Sequence, residues 1–271
     1  MGEAHKMSMT KKIFVKTSGN RFMQRMLEKI VDTSQYLMGI GSGTSVLSSG
    51  EQAIFDILRQ KFEPPYCIFD VGANQGQFLR LLFEHIAVDD FTVHCFEPGR
   101  EAFKTLESLY GGDKRIQLNN IAIGKEEKEA RLYFNSAGSE LASLTRRRLD
   151  HFGIEFNESE VIKINTIDNY CSEKAIHHIH LLKLDIEGHE IDALTGARRM
   201  FDTKSIDIVA FEFGGCNIDT RTFFQDFWYF FREVHFDIFR ITPSGYLYPI
   251  EFYKEFYEQF RTMNFIAMAK D

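Results

Sequence analysis

The chain has 271 residues, of which 44% are hydrophobic and 26% charged, a balance that is typical of a globular protein and excludes a disordered or collagen-like chain. The formal net charge of -7 disfavours a nucleic-acid substrate, because affinity for a phosphate backbone comes largely from clustered Lys and Arg. The length allows one large α/β domain or two small domains.

The N-terminal sequence lacks the continuous apolar stretch of a signal peptide, and no apolar run is long enough to span a bilayer. The four cysteines are scattered and form no CxxC pair, so they are predicted to be reduced residues of the core. Together these features predict a cytoplasmic protein without a membrane span.

Residues 1–62 are predicted to form an N-terminal helical extension, followed by one domain at residues 63–271. Between positions 20 and 38, apolar residues recur with the 3.6-residue period of an amphipathic helix: Phe22, Met23, Met26, Leu27, Ile30 and Val31. A second helix is predicted over residues 51–61, before a Pro-Pro pair, and directs four residues toward a core: Ile54, Phe55, Ile57 and Leu58.

From Tyr66 onward, short apolar strands alternate with amphipathic helices, which is the pattern of a doubly wound, mostly parallel sheet. The predicted strands lie at residues 67–71, 92–97, 116–123, 180–186 and 206–213. The predicted helices lie at residues 75–85, 100–110, 190–201 and 220–234. The sequence therefore predicts an α/β fold with a ligand crevice at the carboxyl ends of its parallel strands.

A polar insertion, residues 125–174, interrupts the alternation, and we expect one extra strand in it at residues 130–134. Such an insertion is placed to cover a ligand. Near the C-terminus, residues 237–242 and 246–250 flank a Pro-Ser-Gly turn and predict an antiparallel hairpin. A last strand is expected at residues 264–269.

A glycine turn follows the first predicted strand, where residues 70–76 read Asp-Val-Gly-Ala-Asn-Gln-Gly. Glycine permits tight turns and close approach of the backbone to a ligand. A dinucleotide site would carry GxGxxG, whereas this turn is GxxxG preceded by an acid. A sulfonium cofactor needs no diphosphate cradle and is stabilised by a nearby carboxylate. The turn is therefore a candidate cofactor site rather than an ordinary strand-to-helix loop, with contacts expected from Asp70, Gly72, Asn74 and Gly76.

Further cofactor contacts are expected at the ends of the next two strands. Glu97 lies about twenty residues after the glycine turn, where nucleotide-binding folds place an acid on the ribose hydroxyls. Asn120 and Ala122 lie where a side-chain amide and backbone groups can contact an adenine edge. Alternatively, Glu97 caps a helix, and Asn120 is a turn residue of a common kind.

An acidic motif ends the fourth predicted strand, with Lys183, Asp185 and Glu187 on one face by the two-residue period of a strand. Burial of charged side chains on a central strand costs free energy, unless they lie at the carboxyl end of the strand and have a function there. Asp185, Glu187 and His189 are therefore the candidate catalytic residues. The alternative is that the two acids only cap the following helix.

Two other clusters are interpreted as structural. His177, His178 and His180 have a spacing that invites a metal site, but they precede the fourth strand and lie away from the expected crevice, so no metal ligands are predicted. The arginines at residues 146–148 are predicted to form a solvated charge run, with contact to an anionic acceptor such as a sugar phosphate as the alternative.

The motifs FDVGANQG, HCFEP, NNIAIG, TIDNY, LLKLDIEGHEIDALTGA and NFIAMA resemble, in order and spacing, those of the FkbM family of methyltransferases. The resemblance extends from Glu51 to the C-terminus. It implies a Rossmann-like class I methyltransferase fold, S-adenosylmethionine as methyl donor, and O-methylation of a hydroxyl on a sugar, glycan or small metabolite. It also matches Asp70, Gly72, Asn74 and Gly76 with the donor-binding turn, Glu97 with the ribose acid, and Asp185 and Glu187 with the acidic pair near the reacting centre.

Several chemistries remain open on this pattern. In the first, Asp185 is the preferred base for the acceptor hydroxyl. In the second, Asp185, Glu187 and Glu212 hold Mg²⁺, which acidifies that hydroxyl. A nicotinamide-dependent oxidoreductase is disfavoured by the GxxxG spacing, and a non-catalytic nucleoside-binding protein would not need acids at the ends of the fourth and fifth strands.

Overall fold

The structure, a computed structural model, describes residues 15–43, 49–86 and 91–270. The strands, in chain order, are β1 (Tyr66–Val71), β2 (Phe91–Phe96), β3 (Ile116–Asn119), β4 (Ala122–Ile123), β5 (Lys128–Phe134), β6 (Glu158–Asn165), β7 (Ile179–Leu184), β8 (Ile206–Phe213), β9 (Phe236–Ile241), β10 (Leu247–Pro249) and β11 (Met263–Ala269). The α-helices are α1 (Arg21–Leu37), α2 (Gln52–Lys61), α3 (Gln77–His85), α4 (Arg100–Tyr110), α5 (Ile167–Glu173), α6 (Glu190–Thr195), α7 (Arg198–Asp202), α8 (Cys216–Thr220) and α9 (Phe224–Glu233).

The main sheet has the strand order β10-β9-β11-β8-β7-β1-β2-β3. Its strands β3, β2, β1, β7 and β8 run parallel, whereas β11 is antiparallel to both of its neighbours, β8 and β9. The chain leaves β1 in one direction through β2 and β3 and returns on the other side through β7 and β8. A sheet of this kind opens a crevice at the carboxyl ends of β1 and β7, where the strand order reverses. The predicted doubly wound sheet and the C-terminal hairpin of β9 and β10 are confirmed.

Apolar side chains cover both faces of this sheet, as expected for parallel strands that are buried on both sides. One face packs against α5, α6, α7 and α9, and the aromatic residues of α9 lie in this layer, with Phe224, Phe227 and Phe231 fully buried. The other face packs against α2, α3 and α4. The sheet is therefore a rigid platform for groups at the ends of its strands.

The predicted strand at residues 116–123 is in fact two strands in different sheets. The side chain of Asn119 donates to the Cys95 carbonyl oxygen (3.0 Å), and that of Asn120 donates to the Glu97 carbonyl oxygen (2.9 Å). These bonds end β3 beside β2 and turn the chain away, so β4 pairs with β6 instead.

Two predicted helices are also divided. The helix expected at residues 190–201 is broken into α6 and α7 at Gly196, whose carbonyl oxygen accepts from the Asp168 backbone nitrogen (3.0 Å) instead of continuing the helix. The helix expected at residues 220–234 begins only at Phe224. There the side chain of Asp226 accepts from the Phe223 backbone nitrogen (2.8 Å) and caps the new helix.

The polar insertion contains more structure than the single strand predicted at residues 130–134. That strand is the C-terminal part of β5, which pairs antiparallel with β6, and β4 completes a three-stranded sheet. The insertion also contributes α5. Leu132, Ile162 and Ile164 bury a small apolar cluster between these elements, which explains why a mainly polar segment folds here.

The two predicted N-terminal helices differ in burial. In α2, Ile54, Phe55 and Leu58 are buried in the core, as predicted. In α1, the predicted amphipathic helix forms, but none of its residues is buried. The boundary at residue 62 between an extension and the main domain stays a prediction.

The cysteines of the described chain are free thiols; Cys95, Cys171 and Cys216 are buried, and Cys67 is partly exposed. Within the described ranges, the helices all fall short of the length and apolar character that crossing a membrane requires.

Candidate active site

A cavity of about 1140 Å³ opens at the carboxyl ends of the parallel strands. Its floor is formed by the glycine turn after β1, by Glu97 after β2 and by Asp185 after β7. Residues 139–144 and 147–149 of the insertion, with His151 and Phe152, supply a further wall. The insertion therefore covers the crevice that the reversal in strand order creates.

The glycine turn is held by backbone contacts to the neighbouring strands. Gly72, with φ +83°, donates from its nitrogen to the Phe96 carbonyl oxygen (3.0 Å). A Cβ atom at Gly72 would lie 1.9 Å from the Asp185 carbonyl oxygen. Glycine is thus required at this position because the end of β7 crosses directly against it. Gly76, with φ +92°, begins α3 beside Tyr110 and does not line the cavity.

Glu97 joins the second strand to the glycine turn. Its carboxylate accepts from the backbone nitrogens of Asn74 (2.9 Å) and Gly99 (2.7 Å), and it lines the cavity. Burial raises the pKa of Glu97 to about 7, although the two backbone bonds act in the opposite direction. Within the described chain, the buried Oδ1 of Asn74 has no hydrogen-bond donor. The cavity wall therefore presents two acceptor groups with capacity for a ligand.

Asp70 lies beneath this turn and not in the cavity wall. Its side chain is fully buried, and its Oδ1 is 3.2 Å from the Lys183 Nζ. Lys183 in turn is 3.5 Å from the Asp185 Oδ2 and lines the cavity. Asp70 thus acts on the cavity through Lys183, a residue that the sequence pattern placed on the acidic face without assigning it a role.

Asp185 is the most accessible acid of the acidic motif. Its side chain is 44% exposed and lines the cavity, while its backbone nitrogen bonds to the Val71 carbonyl oxygen (3.0 Å) and fixes it beside β1. Glu212 of β8 and Glu51, just before α2, line the same cavity. Burial, followed by the charges of Asp185 and Glu187, raises the pKa of Glu212 well above that of a free glutamic acid.

Glu187 does not continue the strand face of Lys183 and Asp185, contrary to the two-residue alternation expected from the sequence. The strand ends at Leu184, and Glu187 has φ +54° in the turn that follows. Its carboxylate forms an ion pair with Arg147 of the insertion, and Arg147 also lies 3.6 Å from Asp219. Glu187 therefore fastens the insertion to the floor of the cavity.

The same ion pair shows that the interpretation of residues 146–148 as a solvated run is wrong for Arg147. Only 8% of the Arg147 side chain is exposed, and two carboxylates neutralise it, so it offers no free positive charge to an anionic acceptor. Arg146 and Arg148 are exposed. The sequence carried no signal for this contact, because Arg147 is 40 residues from Glu187 and 72 from Asp219.

His189 also contacts the insertion. One ring nitrogen, Nε2, is 3.0 Å from the Thr145 hydroxyl, and the other, Nδ1, is 2.9 Å from the Asp192 carboxylate. Both nitrogens are occupied, which favours an anchoring role over proton transfer. Its predicted catalytic role stays a prediction.

The two residues expected near an adenine ring lie in different environments. Ala122 is buried and lines the cavity. The Asn120 amide donates to the carbonyl oxygens of Glu97 (2.9 Å) and Pro98 (3.1 Å) and lies outside the cavity wall. Asn120 thus holds the loop that carries Glu97.

The distribution of positive charge bears on metal binding in the cavity. Lys183 already supplies a cation at Asp185, which disfavours a second, divalent cation there. Among the described residues, three side chains bring possible metal-ligand atoms within 4.8 Å of one another: His178, His180 and Asp207. These three residues lie outside the cavity. His180 Nδ1 accepts from the Cys67 backbone nitrogen (3.0 Å), in agreement with the structural interpretation of these histidines.

Comparison with known proteins gives a consistent family. The Methyltransferase FkbM domain matches residues 70–238. The 2-O-methyltransferase NoeI of Sinorhizobium fredii is 24% identical over 175 residues, covering 60% of this chain and 69% of that protein.

Two solved structures were also matched. Methyltransferase FkbM from Methylobacillus flagellatus is 16% identical with a TM-score of 0.46, and the match covers 90% of this chain. This chain spans only 60% of the length of that protein. The S-adenosylhomocysteine-bound methyltransferase PaMTH1 of Podospora anserina is 10% identical with a TM-score of 0.43, over 82% of this chain and 78% of its own.

Proposed function

Since this chain belongs to the FkbM methyltransferase family, we propose that it transfers the methyl group of S-adenosylmethionine to a hydroxyl oxygen of a carbohydrate or small metabolite. Its fold is the Rossmann-like class I methyltransferase fold, and it is an S-adenosylmethionine-dependent enzyme. The family match favours this activity over a nicotinamide-dependent oxidoreductase and over a non-catalytic nucleoside-binding protein. The free thiols support a cytoplasmic location.

The observation that carries the proposal is the accessible Asp185 carboxylate in a cavity that also contains Glu51 and Glu212. Carboxylates accept hydrogen bonds from hydroxyl groups, so an acceptor rich in hydroxyls fits this wall. The buried Arg147 of this wall is already paired with two acids and is not free to bind a phosphorylated acceptor. The name of the similar 2-O-methyltransferase agrees with an oxygen acceptor.

The glycine-turn side of the cavity fits the methyl donor. Glu97 has free acceptor capacity for ribose hydroxyls, and the unpaired Asn74 Oδ1 is an acceptor for the donor's ammonium group. The volume of about 1140 Å³ exceeds the usual range for one small ligand and leaves space for an acceptor beside the donor. When bound, S-adenosylmethionine supplies an electrophilic methyl carbon attached to a sulfonium sulfur.

The chain's own groups then have distinct tasks. Asp185 takes the proton that the acceptor hydroxyl loses, at a carboxylate oxygen within the cavity. Glu212 and Glu51 orient the acceptor. The insertion, fastened by Arg147 and His189, excludes water and holds both ligands in one orientation, which is itself a large source of rate.

A methyl-transfer screen tests this proposal. The purified chain is incubated with methyl-labelled S-adenosylmethionine and a matched panel of oligosaccharides, their amino-sugar analogues, phenols and sugar phosphates. We expect label in neutral hydroxylated acceptors and at oxygen, as located by NMR of the product. Label at nitrogen or carbon, or transfer only to phosphorylated acceptors, would contradict it.

Donor binding is expected to depend on the ionisation of Glu97. Ribose hydroxyls donate to the carboxylate, so the ionised form binds S-adenosylhomocysteine and the protonated form binds poorly. Since the pKa of Glu97 is about 7, affinity should be constant above that pH and fall by up to about tenfold per pH unit below it. Isothermal titration calorimetry at pH values from about 8 to about 5.5, on both sides of the pKa of Glu97, measures this dependence of affinity on pH.

Two variants make the assignment specific. Glu97→Gln keeps the shape and removes the charge, so its weaker affinity should be independent of pH; Glu97→Ala should lower affinity about ten- to a hundredfold at pH 8. Glu126→Gln, an exposed acid outside the cavity, is the control. Wild-type affinity in both Glu97 variants would remove Glu97 from the donor site.

A further inference from the structure

Helix α1 presents an apolar surface to solvent along its whole length. Phe22 is 75% exposed, Ile30 and Val31 are each 53% exposed, and Leu37 is 68% exposed. None of the 17 residues of the helix is buried. A surface of this kind on a folded protein marks an interaction site when the apolar residues are contiguous.

The apolar residues of α1 form a wide arc. At 100° per residue, Phe22, Met26, Ile30, Met23, Leu27 and Val31 follow one another around about half of the helix circumference. The opposite half carries Arg21, Arg25, Glu28 and Asp32. A seam between two helices needs a narrower stripe, whereas a helix lying in a lipid interface buries an entire half.

The net charge of this part of the chain is opposite in sign to that of the rest. Residues 15–37 carry Lys16, Arg21, Arg25 and Lys29 against Glu28 and Asp32, a net charge of +2, so the other residues carry -9 of the total of -7. A basic amphipathic helix on an acidic protein is typical of attachment to an anionic surface.

The helix is anchored beside the cavity. Arg261 donates to Gln35 (2.7 Å) and forms an ion pair with Asp32 (2.8 Å), and the Gln35 amide donates to Gln259 (2.9 Å). Arg261 also lines the cavity wall. The C-terminal part of α1 is therefore fixed to the domain, close to the cavity, through the polar half of the helix.

We propose that α1 binds the surface of an anionic lipid bilayer, with its apolar arc in the interfacial layer and its cationic residues near the headgroups. Binding of α1 to lipid does not depend on which acceptor is methylated. The competing occupant is a second copy of the chain, but two helices of about 25 Å bury less surface than a stable interface usually needs.

Vesicle flotation tests the proposal without any methyl transfer. The full chain is mixed with vesicles of phosphatidylcholine alone or with about 30% phosphatidylglycerol. We expect flotation with the anionic vesicles only, reduced at least fivefold when salt is raised from about 0.1 M to about 0.5 M. Equal flotation with both vesicles, or none with either, would overturn the proposal.

Variants assign the binding to α1. Phe22→Ser combined with Ile30→Ser, and separately Arg21→Glu combined with Arg25→Glu, should each lower the bound fraction about tenfold or more. Phe252→Ser removes another side chain that is 68% exposed and should bind like wild type. Because α1 buries no residue, circular dichroism and thermal unfolding should show all variants folded. Wild-type flotation of both α1 variants, or a dimer in light scattering that they abolish, would assign α1 to another role.

Discussion

Asp185→Asn is expected to lower turnover about a hundredfold or more while the affinity for S-adenosylhomocysteine stays within about twofold of wild type. The substitution keeps the shape of the side chain and removes its ability to take a proton. Asp185 is the accessible acid at the end of β7, and its carboxylate is not needed to hold the glycine turn, which contacts its backbone. The loss would correspond to about 2.7 kcal/mol of transition-state stabilisation.

Single-turnover kinetics and calorimetry with the acceptor found in the screen measure the two quantities separately. Asp202→Asn, at an exposed aspartate of α7, is the matched control and should behave as wild type. Chelation by EDTA, followed by added Mg²⁺, distinguishes a proton acceptor from a metal ligand, because only the metal chemistry is lost and restored. We expect no effect of EDTA. Full activity of Asp185→Asn would exclude both roles and leave alignment of the ligands as the main source of rate.

Gly72→Val should abolish measurable binding of S-adenosylhomocysteine. The new Cβ atom would lie 1.9 Å from the Asp185 carbonyl oxygen, and a β-branched residue strongly disfavours φ near +83°. The turn must move away from β7, and it takes with it Asn74, which holds Glu97 in position. The expected effect is thus a displacement of the donor site, together with a loss of stability.

Circular dichroism and calorimetry are measured together on this variant. Gly112→Val is the control, because a Cβ atom there meets no neighbour within 4 Å and its φ is not positive. If Gly72→Val does not fold, Asn74→Gly provides the test: it preserves the positive φ of +45°, removes the unpaired Oδ1, and should weaken binding about tenfold. Normal binding in a folded Gly72→Val, or in Asn74→Gly, would show that the turn is only structural.

Local patterns were sufficient for much of the fold and for part of the site. The glycine turn, the strand before it and Glu97 are close in sequence, and their spacing follows from the length of one strand-helix-strand unit. The apolar periods of β1, β2, β7 and β8 likewise record burial on both faces. For the same reason the sequence placed Glu97 and Asp185 at one edge of one sheet.

The sequence-based predictions were wrong where a contact with a residue distant in the chain determined the local structure. The run at residues 116–123 is apolar enough for one strand, but Asn119 and Asn120 bond to β2 and its following loop and divide it. Glu187 has the spacing of a strand-face acid, but the strand ends before it and Arg147 determines its direction. Periodicity shows which faces of a helix or strand are apolar. It does not show where the helix or strand ends when a contact with a distant part of the chain terminates it.

The sequence by itself determined the α/β class, the order of the parallel strands along the chain and the residue types at their carboxyl ends, because these depend on periodicity and on short-range spacing. Only the tertiary structure decided that Asp70 pairs with Lys183 and that Arg147 closes the insertion onto Glu187. It also decided that, among the described residues, no element buries the apolar arc of α1. Each of these depends on which residues far apart in the chain meet in space. Apolar periodicity shows that one face of a helix would be stabilised by burial. The rest of the fold decides whether another element packs against that face.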